Sequence, residues 1–159
     1  MRSFIEPYGE TRVEINKGII PIRELIHGNK IVVIDDSIVR GTSSHSIVKM
    51  LRGAGAKEIS VIVTYPPIRF PCYAGIDFPS QEELIAYQET KNEDTIEKIG
   101  SNISKIIGAD FTGYNDTSSL AQAIGIPEDQ LCFTCSTGDY SSLGIKPIFR
   151  TRKQMKGEE

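Results

Sequence analysis

Several common sequence features are absent from this chain of 159 residues, and their absence narrows what it can be. No stretch approaches the roughly twenty consecutive apolar residues that cross a bilayer, so we expect neither a transmembrane helix nor a membrane partner. The first ten residues lack the apolar centre of a secretory signal, which favours a cytoplasmic protein. A formal net charge of -3 and a pI near 5.5 give no indication of nucleic-acid binding.

Cysteine is scarce, and its odd count of three excludes complete pairing within the chain. Cys72 lies in a proline-rich stretch, whereas Cys132 and Cys135 form a CxxC sequence near the C-terminus. By spacing alone, the CxxC sequence fits half of a zinc site, a redox dithiol or two ligands of an iron-sulfur cluster. Its late position disfavours a thioredoxin-like dithiol, and buried free thiols are the simplest interpretation.

What the sequence does contain is a regular alternation of strand and helix patterns. Ile31 to Ile34 is a continuous apolar run, typical of a strand buried on both faces of a parallel sheet. Thr42 to Ser44 can cap a helix with an apolar face at Ile47, Val48, Leu51 and Ala54, and a second strand is predicted at Ile59 to Val63. The fold class is therefore α/β, with a parallel sheet flanked by helices.

The remainder of the chain shows fewer regular patterns. Residues 65–79 carry four prolines and predict an ordered, irregular loop. Isoleucines at helical spacing predict a helix over Thr95 to Ile107, and a shorter helix is predicted over Ser118 to Ile124, behind caps at Asp116 to Ser118. Residues 151–159 alternate in charge without an apolar period and predict a solvated tail.

An acidic pair, Asp35 and Asp36, follows the first strand at the edge where parallel sheets bind ligands. Neighbouring carboxylates repel unless a divalent cation or hydroxyl donors lie between them. The next residues supply hydroxyl groups, a guanidinium and a backbone without a Cβ, all just before a helix; they are Ser37, Arg40, Gly41, Thr42, Ser43 and Ser44. Such a loop can bind a phosphate group. The pattern predicts a sugar-phosphate site.

Two other interpretations of the acidic pair compete with a sugar-phosphate site. The pair can simply end a strand before a capped helix, which is the usual meaning of an isolated Asp-Asp-Ser sequence. A response-regulator receiver domain also places paired acids at a strand end. It requires a further aspartate that closes another buried strand, but the run Ile59 to Val63 ends in Thr64, Tyr65 and Pro66. The receiver interpretation is therefore disfavoured.

Residues Ile31 to Ser43 resemble the phosphoribosyl-pyrophosphate signature of the type I phosphoribosyltransferases, in which two acids and a Gly-Thr turn follow an apolar run. The resemblance implies that Asp35 and Asp36 engage the ribose hydroxyls and Mg²⁺ and act as the catalytic pair. It also implies that the loop from Ser37 to Ser44, including Val39, binds the 5′-phosphate.

Five further segments are similar to the iron-sulfur form of the glutamine phosphoribosylpyrophosphate amidotransferases. They are residues 66–72, 75–77, 107–110, 132–135 and 138–140. The similarity implies that residues 1–150 are the C-terminal portion of a phosphoribosyltransferase domain with a C-terminal helical extension. Cys72, Cys132 and Cys135 would be ligands of a [4Fe-4S] cluster whose fourth ligand is not in this chain. Arg2, Arg12 and Lys17 are candidate pyrophosphate contacts, with ordinary surface charge as the alternative.

The resemblance further implies phosphoribosyl transfer from phosphoribosyl pyrophosphate to ammonia, which forms 5-phosphoribosylamine in the first step of purine synthesis. The glutaminase domain that supplies the ammonia is not in this sequence, so we expect an N-terminal partner chain or domain and a homo-oligomer. A non-catalytic module that binds phosphoribosyl pyrophosphate and an inactive gene fragment are the alternatives.

Overall fold

Three parallel strands form the centre of the computed structural model, which describes residues 19–75, 80–88 and 95–147. The strands are β1 (Lys30–Asp35), β2 (Glu58–Val63) and β3 (Phe111–Tyr114), in the spatial order β1, β2, β3. Ile31 pairs with Ile59, and Val61 pairs with Thr112. The parallel sheet predicted from the sequence is confirmed.

Helices connect these strands and extend beyond the sheet. They are α1 (Arg23–Ile26), α2 (Thr42–Gly53), α3 (Ile85–Gln88), α4 (Ile96–Ile107), α5 (Thr117–Ile124) and α6 (Thr134–Thr137), with short 3-10 turns at Gln81–Glu83, Glu128–Gln130 and Ser141–Leu143. The predicted unit of β1, α2 and β2 is confirmed, as are α4 and α5 to within a residue. Asp116 caps α5 through its side chain, as the sequence indicated, and Thr95, which was predicted as the first helical residue, caps α4 in the same way.

Some local predictions fail. The N-cap of α2 is Gly41 in a left-handed conformation, without a side-chain hydrogen bond, so the prediction that Thr42 to Ser44 cap this helix is wrong. The physical reason is that Thr42 already has helical geometry. Strand β3 was not predicted. Residues 65–75 contain neither helix nor strand, as expected, whereas 76–79 and the predicted tail at 151–159 lie outside the described residues.

One face of the sheet carries the core, because α2 and α4 both pack there. The inward side chains of β2 are almost fully buried, as are those of α4; the set includes Ile59, Val61, Val63, Ile99, Ile103 and Ile107. Val48 and Leu51 of α2 close this layer, which confirms their predicted inner face. Ile106 is 43% exposed, so the apolar stripe of α4 is narrower than its isoleucines indicate.

The opposite face of the sheet is open within the described part of the chain. Val32 and Ile34 on β1 are 63% and 71% exposed, and Phe111 on β3 is 54% exposed. The expected burial of β1 on both faces is therefore wrong: Ile31 and Val33 on the core side are only half-buried, and the other face is exposed because no helix in the described ranges packs against it. None of the described helices is long and apolar enough to span a membrane.

Candidate functional site

The acidic pair lies at the carboxyl edge of the sheet, as predicted. Asp35 is the last residue of β1, and Asp36 follows it directly. Backbone pairing with the β2 side continues past the strand ends: the Thr64 N–H donates to the Asp35 carbonyl at 3.0 Å, and the Tyr65 N–H donates to the Asp36 carbonyl at 3.0 Å. The backbones of both acidic residues are therefore hydrogen-bonded to the segment that follows β2.

The two carboxylates accept local backbone hydrogen bonds. The Asp36 N–H donates to Asp35 Oδ1 at 3.0 Å, and the Ser37 N–H donates to Asp36 Oδ1 at 2.8 Å. Burial raises the pKa of Asp35, and the neighbouring charge of Asp36 raises it further. Folding therefore makes the negative charge of Asp35 less favourable than it is in water. A cation or hydroxyl donors at this edge would relieve that cost.

The donor chemistry of the pair suits Mg²⁺ rather than a metal held entirely by protein. Among residues 19–75, 80–88 and 95–147, no group of three or more His, Cys, Asp or Glu side chains is arranged to hold a metal ion. Mg²⁺ commonly uses one or two carboxylates and completes its shell with water and substrate phosphates. Asp35 and Asp36 supply two carboxylates, which fits this mode of binding.

The loop after the pair leads into the N-terminus of α2. Gly41 has a φ of +75°, and a Cβ placed there would lie 2.7 Å from Ile85 Cδ1. The first N–H groups of any helix lack intrahelical acceptors, which makes such a terminus an anion site. Thr42, Ser43 and Ser44 form this first turn and are half-buried or buried. The arrangement provides N–H groups and hydroxyls for one phosphate group.

Two predicted substrate-binding residues make contacts away from this turn. The Arg40 guanidinium donates from Nε to Glu83 Oε2 at 2.6 Å, and a second guanidinium nitrogen lies 2.5 Å from the same oxygen. The Val39 side chain packs against an apolar cluster that contains Ile68, Leu84 and Cys135. Ser37, in contrast, lies beside the acidic pair and is half-buried.

The three cysteines come from two segments that dock against each other. The N–H groups of Arg69 and Phe70 both donate to the Cys135 carbonyl at 2.9 Å, and the Tyr140 hydroxyl donates to the Pro71 carbonyl at 2.6 Å. The Tyr65 hydroxyl donates to the Cys132 carbonyl at 3.0 Å and lies 3.5 Å from Cys135 Sγ. These contacts bring Cys72 towards the CxxC sequence.

The thiols themselves are free and differ in exposure: Cys132 is exposed, Cys72 is half-buried and Cys135 is buried. Burial raises the pKa of the Cys135 thiol, and the nearby Cys72 and Cys132 raise it further. Beside them, the Ser136 hydroxyl is buried without a hydrogen-bond partner in the structure. The described conformation does not assemble the three thiols into a metal-ligand set.

Sequence reasoning missed Tyr65, Glu83 and Ile85, which support the site from a distance along the chain. Glu83 lies 43 residues from Arg40, and nothing in its local sequence distinguishes it from its acidic neighbour Glu82. The predicted pyrophosphate contacts Arg2, Arg12 and Lys17 lie outside the described residues.

Known proteins are similar to this chain in sequence and fold. No protein-family model matches the chain. An amidophosphoribosyltransferase from Pyrococcus horikoshii is 46% identical over 139 residues, which are 87% of this chain and 28% of the relative. Amidophosphoribosyltransferase 1, chloroplastic, from Arabidopsis thaliana is 40% identical over 147 residues, 92% of this chain and 24% of the relative. The chain is homologous to one segment of the amidophosphoribosyltransferases.

The solved structures agree with this assignment. The glutamine phosphoribosylpyrophosphate amidotransferase from B. subtilis, complexed with ADP and GMP, is 36% identical, with a TM-score of 0.62. The alignment covers 88% of this chain and 30% of that structure. The fold is therefore that of part of an amidophosphoribosyltransferase. The chain spans about a quarter of the length of the curated amidophosphoribosyltransferases that it matches.

Proposed function

We propose that this chain carries the ribose-phosphate half of an amidophosphoribosyltransferase active site. In the complete enzyme, the reaction would transfer the phosphoribosyl group of phosphoribosyl pyrophosphate to ammonia derived from glutamine, giving 5-phosphoribosylamine and pyrophosphate. One observation carries the proposal: Asp35 ends β1 and Asp36 follows it, directly before a loop that leads into the N-terminus of α2. Homology to the amidophosphoribosyltransferases supports it.

The chemistry suits these residues. Attack of ammonia at the anomeric carbon passes through a state with positive charge on the ribose, and it mainly requires positioning and stabilisation of the leaving pyrophosphate. The carboxylates of Asp35 and Asp36 would orient the ribose hydroxyls. The first turn of α2, from Thr42 to Ser44, would bind the 5′-phosphate through N–H groups and hydroxyls.

For the metal, we propose Mg²⁺ at Asp35 and Asp36. The half-buried carboxylate of Asp35, with its raised pKa, supports a role in cation binding, because a cation would offset the cost of its charge. Bound Mg²⁺ would supply positive charge to the pyrophosphate leaving group. The carboxylates of Asp35 and Asp36 would determine the position of the bound Mg²⁺.

A [4Fe-4S] cluster at Cys72, Cys132 and Cys135 is a separate proposal that rests on the resemblance. The mutual electrostatic influence of the thiols is consistent with it, but the described conformation does not hold three ligands in metal-binding geometry. No step of the proposed phosphoribosyl transfer passes through the cluster. Iron and sulfide analysis of protein purified without oxygen tests the proposal, and protein free of iron after reconstitution would contradict it.

The remaining proposals concern the complete assembly. Residues 1–150 would form the C-terminal portion of a phosphoribosyltransferase domain, completed by a glutaminase chain or domain and assembled as a homo-oligomer in the cytoplasm. Phosphoribosylamine formation by the chain alone is not expected, since it spans only about a quarter of the curated relatives. Co-purification with a glutaminase partner and light scattering of the complex test these points.

Calorimetric titration with phosphoribosyl pyrophosphate, with and without Mg²⁺, tests the proposed site. We expect saturable binding that requires Mg²⁺ and is lost in the double variant Asp35→Asn with Asp36→Asn. The matched control Asp129→Asn removes an exposed carboxylate in the 128–130 turn and should leave affinity unchanged.

The outcomes separate the candidate functions. Binding followed by turnover when ammonia and a partner are added supports the transferase. Binding that never leads to turnover with any partner favours a regulatory module that holds the same ligand. A folded wild-type protein without binding, or a double variant with unchanged affinity, contradicts the assignment of the site.

A further inference from the structure

Residues 80–88 contact the loop that would bind the 5′-phosphate, although the two segments are about forty residues apart in sequence. Arg40 in that loop contacts Glu83 through two guanidinium nitrogens, at 2.6 and 2.5 Å from one carboxylate oxygen. Their side chains are only 14% and 20% exposed. A charge pair this shielded is screened much less by salt than a surface pair.

Ile85 makes two further contacts with the same loop. Its N–H donates to the Val39 carbonyl at 2.9 Å. Its Cδ1 lies under Gly41, close enough that a Cβ on Gly41 would be 2.7 Å away. Backbone, side-chain packing and charge therefore all connect residues 83–85 with residues 39–41.

The 80–88 segment is itself well anchored. Ser80 is fully buried and its hydroxyl accepts a hydrogen bond from the Glu82 N–H at 3.3 Å. Leu84 and Ala86 are 1% and 0% exposed. A segment fixed in this way can act as a rigid support, because moving it would expose buried apolar surface.

We propose that Glu83 is a positioning residue for the proposed phosphoribosyl site. It holds Arg40, and through Arg40 it fixes the course of the loop from Ser37 to Gly41 into α2. Arg40 acts through this ion pair and is not a direct ligand of the phosphate. The inference rests on the proposed function and adds to it the residue that fixes the geometry of the phosphate-binding loop.

The two roles for Arg40 predict opposite effects of removing Glu83. If Arg40 positions the loop, Glu83→Gln removes the carboxylate charge that holds the shielded guanidinium, the loop shifts and affinity falls. If Arg40 binds the phosphate directly, Glu83→Gln releases its guanidinium for the ligand, and affinity is unchanged or rises. The sign of the effect separates the two roles.

The experiment compares Glu83→Gln, Arg40→Gln and the double variant by calorimetric titration with phosphoribosyl pyrophosphate and Mg²⁺. We expect each single variant to bind roughly tenfold to a hundredfold more weakly, as small misplacements of a binding group do. The affinity of the double variant should be no lower than that of the weaker-binding single variant, because both substitutions remove the same interaction. Retained or increased affinity in Glu83→Gln, or losses that add in the double variant, would overturn the inference.

A matched control and a ligand-free measurement complete the test. Glu58→Gln also removes an ion pair, with Lys30, but at the amino ends of β1 and β2, and should leave affinity unchanged. Hydrogen exchange of the ligand-free protein should show faster exchange over residues 36–41 in Glu83→Gln and not in Glu58→Gln. If the wild type does not bind the ligand, the proposed function fails, while the exchange rates still decide whether Glu83 holds the loop.

Discussion

Replacing Gly41 by alanine tests the loop geometry most directly. Gly41 has a φ of +75°, a left-handed conformation that disfavours any residue with a Cβ. The added methyl group would also lie 2.7 Å from Ile85 Cδ1 and 3.5 Å from Ile107 Cγ2. Both effects act in the free protein, so Gly41→Ala should be destabilising even without ligand.

The size of the effect follows from the two contributions. The left-handed conformation costs an L-residue about 1–2 kcal/mol, and forcing a methyl group into a packed contact costs about 1–3 kcal/mol. The sum is roughly 2–5 kcal/mol, and the lower half of that range is expected because the terminal methyl of Ile85 can rotate. Urea unfolding followed by circular dichroism measures the loss of stability.

A second substitution separates strain from steric contact. Ile85→Val removes the Cδ1 atom, at an expected cost of about 0.5–1.5 kcal/mol by itself. In the double variant the close contact is relieved and only the backbone strain remains, so the combined loss should be clearly smaller than the sum of the single losses. Gly53→Ala, in the last turn of the same helix, is the matched control, since nothing lies within 4 Å of a Cβ there.

Either of two results would refute this account of Gly41. A stability of Gly41→Ala within about 0.5 kcal/mol of the wild type, the usual range for surface substitutions, would show that the loop does not require glycine. Fully additive losses in the double variant would show that Ile85 does not support Gly41.

Three other substitutions test separate features. Burial raises the pKa of Asp35 in the folded protein above its ordinary value of 3.8. The stabilisation that comes from the protonated carboxyl group is therefore fully present when the pH is below the pKa of the unfolded chain, and it is lost as the pH rises through the pKa of the folded protein. Asp35→Asn should therefore raise the melting temperature at pH 7 while abolishing ligand binding, and a lower melting temperature would contradict this. Tyr140→Phe removes the buried bond to the Pro71 carbonyl and should cost about 1–3 kcal/mol in urea unfolding, whereas an unchanged midpoint would show that the bond contributes nothing. A Cβ on Gly100 would meet the Thr112 carbonyl oxygen, so Gly100→Ala should separate α4 from β3 and cost more than about 3 kcal/mol; a smaller loss would mean that the two elements adjust.

The parts of the fold that the sequence predicts are those determined locally. Strand β1 is recognisable as a continuous apolar run, and helix α2 is recognisable because its apolar residues recur at helical spacing over several turns. Helix α4 is recognisable for the same reason, with Thr95 as its cap and Gly108 in the left-handed position after it. The acidic pair was located by its place after β1, which depends only on adjacent residues.

The missed parts depend on contacts between distant residues. Strand β3 has four residues, one of them Gly113, and its pattern is too short to separate from a loop; it forms because β2 offers a partner. The pairing of Arg40 with Glu83 has no sequence signal either, since an exposed arginine and a shielded one have the same local pattern. Arg40 was therefore predicted as a ligand-binding residue from its chemical type and the resemblance of its loop.

Unfavourable local features are concentrated in residues 35–41. Asp35 has a raised pKa beside a second carboxylate, and Gly41 requires a left-handed backbone. Contacts from Tyr65 and Ile85 hold the two ends of this loop in place. Conformations that are locally unfavourable persist only where surrounding structure determines them, and they cluster where a ligand completes the site. Since a cation or the hydroxyl groups of a ribose would offset the charge that burial disfavours at Asp35, this loop has the physical character expected of the proposed binding site.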